Sequence, residues 1–140
     1  MLKKILIGQF VLGLLISCSN SKTKPNLLNK STDFNIQINV ADSIEKETNV
    51  YAPITINNSK YKLLRGFVGC DITDTTTIDT TSFVLIKGCT QLIISYDTAK
   101  VWFKTSTKFG KASFDKITLL AKGQDNKYYY QNVSLDYYVK

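Results

Sequence analysis

Phe34, Ile36, Ile38 and Val40 alternate with Asn35, Gln37 and Asn39, and a period of two leaves a chain few ways to fold. Successive side chains of an extended segment point to opposite sides, so one set of this run is buried against a core while the other meets water. Shorter runs of the same character follow at residues 50–56, 62–68, 82–86, 91–96 and 100–105, with Gly66, Gly69, Gly88, Asp97 and Gly110 as punctuation. Pro53 interrupts the first of them; its ring carries no N–H for a ladder, which predicts an edge strand or a bulge there. Residues 128–133 and 134–139 read as the closing strands, rich in β-branched and aromatic side chains that suit a pleated surface. Short strands with a turn every 8 to 12 residues or so predict a mainly β fold, an immunoglobulin-like antiparallel β-sandwich, with an open barrel as the alternative. One segment reads differently. Ser113 caps a short helix near residues 113–122, with Asp115 in its first turn, Phe114, Ile117, Leu120 and Ala121 along one side and Gly123 just past its end.

The N-terminus follows another rule. Lys3 and Lys4 precede about a dozen mostly apolar residues that stop at Ile16, a length that fits a secretory signal and falls short of the roughly 20 residues a bilayer span needs. Leu15, Ile16, Ser17 and Cys18 resemble the lipobox of bacterial lipoproteins. The resemblance implies that the Cys18 thiol takes a diacylglyceryl group, that residues 1–17 are a signal peptide and are removed, and that the new amino terminus is acylated with a fatty acid such as palmitate. Two or three acyl chains hold a protein at a membrane stably, because each buried methylene contributes about 0.8 kcal/mol. Ser19 stands where enteric bacteria use an aspartate to retain lipoproteins at the inner membrane, so the expected location is the outer membrane of a cell envelope. An uncleaved signal anchor, or a core helix with a spare cysteine, is the alternative reading.

Residues 18–32 are rich in Ser, Asn, Lys and Thr and contain Pro25, the composition of a flexible tether. Residues 33–140 then form one β-sandwich domain, enough chain for a single core. Loss of Lys3 and Lys4 with the signal lowers the formal net charge from +7 to +5, sixteen basic residues against eleven acidic. The lysines are dispersed and no basic run forms, so nucleic acid is not an expected partner.

Cys70 and Cys89 remain after Cys18 is assigned to lipid, and an even pair in an exported domain points to a disulfide. Two buried free thiols are the alternative. Between them run Asp71, Asp74 and Asp79 among threonines, hard oxygen donors that bring calcium to mind but lack the glycine and glutamate of an EF-hand loop, so a solvated loop is expected and no metal site. Tyr128, Tyr129, Tyr130, Tyr137 and Tyr138 crowd the C-terminus. In an extended strand Tyr128 and Tyr130 share one face and Tyr129 takes the other. Tyr128, Tyr130 and Tyr137 are the candidate ligand-binding residues, since tyrosine joins apolar area to a polar tip that suits a sugar ring or a protein partner; tyrosines that line the core are the alternative.

The chain contains no histidine, which removes the Ser-His-Asp and Cys-His arrangements and the commonest metal ligand. Its only glutamates, Glu45 and Glu47, lie two apart in a loop and make a poor glycosidase pair. No enzyme, catalytic residue or cofactor is expected.

Residues 109–133, with the aromatic run Tyr128, Tyr129, Tyr130 leading into Gln131, Asn132 and Val133 after Gly123, Gln124 and Asp125, resemble the closing part of the C-terminal domain of the periplasmic gliding-motility and type IX secretion family GldM. The resemblance covers about a fifth of the chain and implies a β-sandwich interaction domain. The expected function is therefore a non-catalytic, lipid-anchored envelope protein that binds a protein partner or supports an assembly. The alternatives are a glycan- or small-ligand-binding lipoprotein using the C-terminal tyrosines, and an inhibitor or immunity lipoprotein.

Overall fold

The computed structural model describes residues 26–69, 72, 77–78 and 89–140. Within them the chain forms β1 (Asn26–Lys30), β2 (Ile36–Ile38), β3 (Ser43–Ile44), β4 (Asn49–Ile56), β5 (Tyr61–Val68), β6 (Thr77–Ile78), β7 (Thr90–Gln91), β8 (Ile93–Ser95), β9 (Thr98–Lys104), β10 (Gly110–Gly123) and β11 (Tyr128–Val139). They make a mainly β protein of two antiparallel-rich sheets, a β-sandwich. The larger sheet runs β6-β1-β11-β10-β5-β7 with β3 also on β11, and the smaller runs β2-β4-β9-β8. The alternation at the N-terminal run works as expected: Phe34 is fully buried, and Ile36, Ile38 and Val40 pack against the core between the sheets.

The expected helix near residues 113–122 is a strand. Residues 110–123 lie in β10, paired with β11 on one side and β5 on the other. A register shift between Phe114 and Ile117 explains the misleading spacing. Lys116 has φ 60° there, and one extra residue in the strand reverses which parity faces inward. Ala112 and Phe114 therefore face the core before the bulge, and Ile117, Leu119 and Ala121 after it. A bulged strand thus puts two core residues three apart, as a helix does.

β5 carries a second shift, between the Leu120–Arg65 and Ala121–Leu63 pairs. Leu63 consequently faces the core between the sheets, whereas Phe67 faces outward. Outward is not exposed. Phe67, Leu120, Tyr130, Leu28 and Ile72 are all nearly inaccessible and form a second apolar cluster on the far side of the larger sheet.

That cluster corrects the N-terminal boundary. β1 falls inside the segment expected to be a tether, yet it pairs in parallel with β11 through Leu28 and Tyr128, Asn29 and Tyr129, and Lys30 and Tyr130. Leu28 is 2% exposed, and Ser31 N–H continues the ladder to Tyr130 O at 2.8 Å. Two adjacent leucines in polar chain give no period to read, so only the tertiary partners reveal the strand. The two expected closing strands are likewise a single element, β11, which holds β10 along one edge, and β1 and β3 in turn along the other.

Pro53 lies in β4, an interior strand between β2 and β9, and not at an edge. Pro53 O accepts a 3.1 Å bond from Asn39 N–H, one residue past the end of β2. The N and C=O of one residue point to the same side of an antiparallel strand, so the proline nitrogen also faces the end of β2 and no bond to β9 is lost. The expected strand at residues 82–86 lies outside the described residues.

Candidate functional site

Two strands at the middle of the smaller sheet sort their side chains by parity. On β9, Ala99, Val101 and Phe103 are buried, and on β4 so are Ala52 and Ile54. The opposite parity would ordinarily be polar. Here it carries Trp102, 65% exposed, and Tyr51, 39% exposed. They are direct cross-strand partners, their ring centroids 4.7 Å apart and their planes at 33°. Lys100 and Lys104 flank Trp102 on the same side of β9, and Ile93 of β8, 64% exposed, stands opposite Lys100.

Large apolar side chains on a strand's solvent face lower solubility and contribute at most about 1 kcal/mol to the sheet as a cross-strand pair. Tyr and Trp on one flat surface are the side chains that most often anchor a protein interface, because each buries a large area with few rotatable bonds. A signal for this pair was present in the sequence. Lys100, Trp102 and Lys104 alternate with Ala99, Val101 and Phe103, which places the chain's single tryptophan with the lysines.

The tyrosines expected to bind a ligand do not share a surface. The parity reading holds: Tyr128 and Tyr130 turn to the second cluster, while Tyr129 packs on the core between the sheets. Tyr130 is 3% exposed and Tyr137 is 8% exposed, on opposite faces of β11. Tyr137 packs against Phe103 with centroids 5.3 Å apart and ring planes tilted by 50°, and its hydroxyl accepts a bond from Ser106 N–H. Burial at both positions withdraws the ring faces that a sugar would need. Tyr138 alone of the C-terminal pair is largely exposed.

Polar side chains gather at one end of the sandwich. Ser31 Oγ and Tyr61 hydroxyl donate to Asp33 Oδ1 at 2.6 and 2.8 Å, and Tyr129 hydroxyl donates to Asp125 Oδ2 at 2.6 Å. The rings of Tyr61 and Tyr129 meet edge to face with centroids 5.3 Å apart. The Ser31 and Tyr61 bonds hold the Asp33 carboxyl below the usual carboxylate range. The Asp125 bond pushes the Tyr129 phenol up to about 12, and the reciprocal bond lowers Asp125. Lys60, Tyr61, Gly123, Gln124, Asp125 and Tyr129 line a shallow recess of about 220 Å³ here. Its acceptors are bonded to its own tyrosines and serine, so the network ties the chain's turns together.

Glu45 and Glu47 do not face one another as a pair of acids. They meet Lys140 at 3.9 Å and Lys104 at 4.0 Å, all on the surface, where such pairs are worth under about 1 kcal/mol. Among the described residues no group of three or more His, Cys, Asp or Glu could hold a metal ion. Cys89 is half-buried beside the second cluster, whereas Cys70, Cys18 and most of the aspartate and threonine run at 71–80 lie outside the described residues. No family model, curated protein or solved structure matches the chain.

Proposed function

We propose that this chain is a non-catalytic, lipid-anchored protein of the bacterial envelope that binds a protein partner through the outer face of its smaller sheet. The observation that carries the reading is the exposed Tyr51–Trp102 pair, an aromatic surface on the solvent face of the smaller sheet among the described residues. Leu15, Ile16, Ser17 and Cys18 supply the anchor, most simply in the outer membrane, and a Cys70–Cys89 bridge belongs to the same exported state. Acyl chains fix the protein in two dimensions, which raises the local concentration of any partner in the same layer.

The test is co-isolation of the full-length protein from detergent-extracted envelopes. A partner in stoichiometric amount is expected with the wild type and is lost with Trp102→Ala. Equal recovery from both proteins, or no partner at all, counts against the reading. Metabolic labelling with a palmitate analogue, expected in the wild type and absent in Cys18→Ser, checks the anchor separately.

A further inference from the structure

Exposed apolar side chains concentrate on one hairpin. Ile93 at 64%, Tyr96 at 99% and Trp102 at 65% belong to β8, to β9 or to the turn between them. β8 is the last strand of the smaller sheet. Tyr96 and Asp97 have φ of 49° and 58°, and two residues at positive φ between paired strands make a type I′ turn. The flanking pair Ser95 and Thr98 therefore exchanges both of its hydrogen bonds. Antiparallel ladders alternate bonded and non-bonded pairs, so Ile94 and Ala99 are the non-bonded pair, and the Ile94 N–H and C=O point away from β9 to the side of β8 on which no strand pairs among the described residues.

Proteins usually blunt such an edge with lysine, proline or a bulge. β8 is short, three residues, but Ile93, Ile94 and Ser95 include no charge and no proline, and their register with β9 is regular. Tyr96 has a left-handed conformation that L-residues rarely adopt, and its ring stands fully in solvent at the end of the same edge. Charge selects what pairs there. Lys100, in register with Ile93, makes no ion pair among the described residues, and the chain from Cys18 onward carries +5. A second copy would bring a second net-positive chain to the same edge.

We propose that β8 is an acceptor edge to which an extended, acidic segment of a partner protein adds as the next strand, bonded through Ile94 and with a carboxylate directed to Lys100. This names the chemistry of the partner inferred above and rests on that reading. Main-chain bonds supply affinity in such strand addition, and the facing side chains supply specificity.

Hydrogen exchange of the detergent-extracted full-length protein tests it, with a capped peptide of alternating valine and glutamate and its valine-lysine counterpart as probes. The glutamate peptide should slow exchange in fragments covering residues 92–96 about tenfold at roughly ten times its Kd, and the lysine peptide should not. Ile93→Lys, a change at an exposed position, should abolish the effect, and Lys100→Glu should reverse the preference between peptides. Equal responses to both peptides, protection elsewhere with none at β8, or protection that rises with protein concentration alone would overturn the proposal, the last in favour of self-pairing. A co-isolated partner that depends on Trp102 but not on Ile93 would sink the acceptor edge while leaving the interaction module intact.

Discussion

Tyr129 donates a 2.6 Å hydrogen bond to Asp125 across the turn that joins β10 to β11. The turn itself is closed by Gly123 N–H to Lys127 O at 2.8 Å and by Asn126 N–H to Gly123 O at 3.0 Å, with Asn126 at φ 62°, a conformation asparagine tolerates. The carboxylate and the phenol shift each other in opposite directions, as one shared bond requires. Tyr129 ionises at about 12 against an ordinary 10, so its share of stability is fully present below pH 10 and is lost as pH rises through 12. Asp125 lies below its ordinary 3.8, so its share is present above that value and is lost as pH falls further. Spectroscopic titration of tyrosinate should show one phenol near pH 12 in the wild type. Asp125→Asn should bring it down toward the ordinary phenol range, and an unchanged titration would show that the carboxylate does not hold it.

Gly123 sits beneath that bond. A Cβ built on it would come 2.5 Å from Asp125 Oδ1 and 2.8 Å from Tyr129 Cε2, both too close to keep. Gly123→Ala should therefore break the Tyr129–Asp125 contact and cost about 1–3 kcal/mol, the range for overpacking. A lowered urea midpoint, together with loss of the high-pH phenol, is the expected pair of readouts. Loss of stability with the phenol still near 12 would place the damage elsewhere.

Leu28 carries the argument that the folded domain begins before Asp33. Its side chain is 2% exposed against Phe67, Ile72, Leu120 and Tyr130, and removing a buried leucine beyond the β-carbon costs about 2–5 kcal/mol. Leu28→Ala in the full-length protein should shift the denaturation midpoint by an amount in that range. A tether residue would shift it by less than about 0.5 kcal/mol.

Much of the architecture was legible because water enforces the period of two on one-sided strands. Ile36 and Ile38 behave as their spacing dictates, and Tyr128, Tyr129 and Tyr130 split between two faces as extended chain requires. What escaped reading were the places where two-sided burial or a bulge hides the period. Residues 117–121 of β10 are buried on both faces, and the bulge at Lys116 turns strand spacing into helix spacing. β1 escaped because its five residues are held between β6 and β11 by partners about fifty and a hundred positions away. The candidate site escaped for a simpler reason: tyrosine count drew notice to the C-terminus, whereas solvent exposure selects Tyr51 and Trp102.

Trp102 and Tyr51 separate binding from stability. Both rings are exposed, and their mutual contact is worth about 0.5–1 kcal/mol at most. Anchors at a protein interface cost 2 kcal/mol or more when truncated, roughly thirtyfold in Kd. The double variant Tyr51→Ala, Trp102→Ala should therefore keep its thermal midpoint within a few degrees of the wild type while losing partner affinity by more than an order of magnitude. Calorimetric melting of the two proteins, set beside titration of each against the co-isolated partner, makes the comparison. A variant that unfolds as readily as it loses binding would assign the aromatic pair to the sheet's own stability, and the outer face would then have no claim as the contact surface.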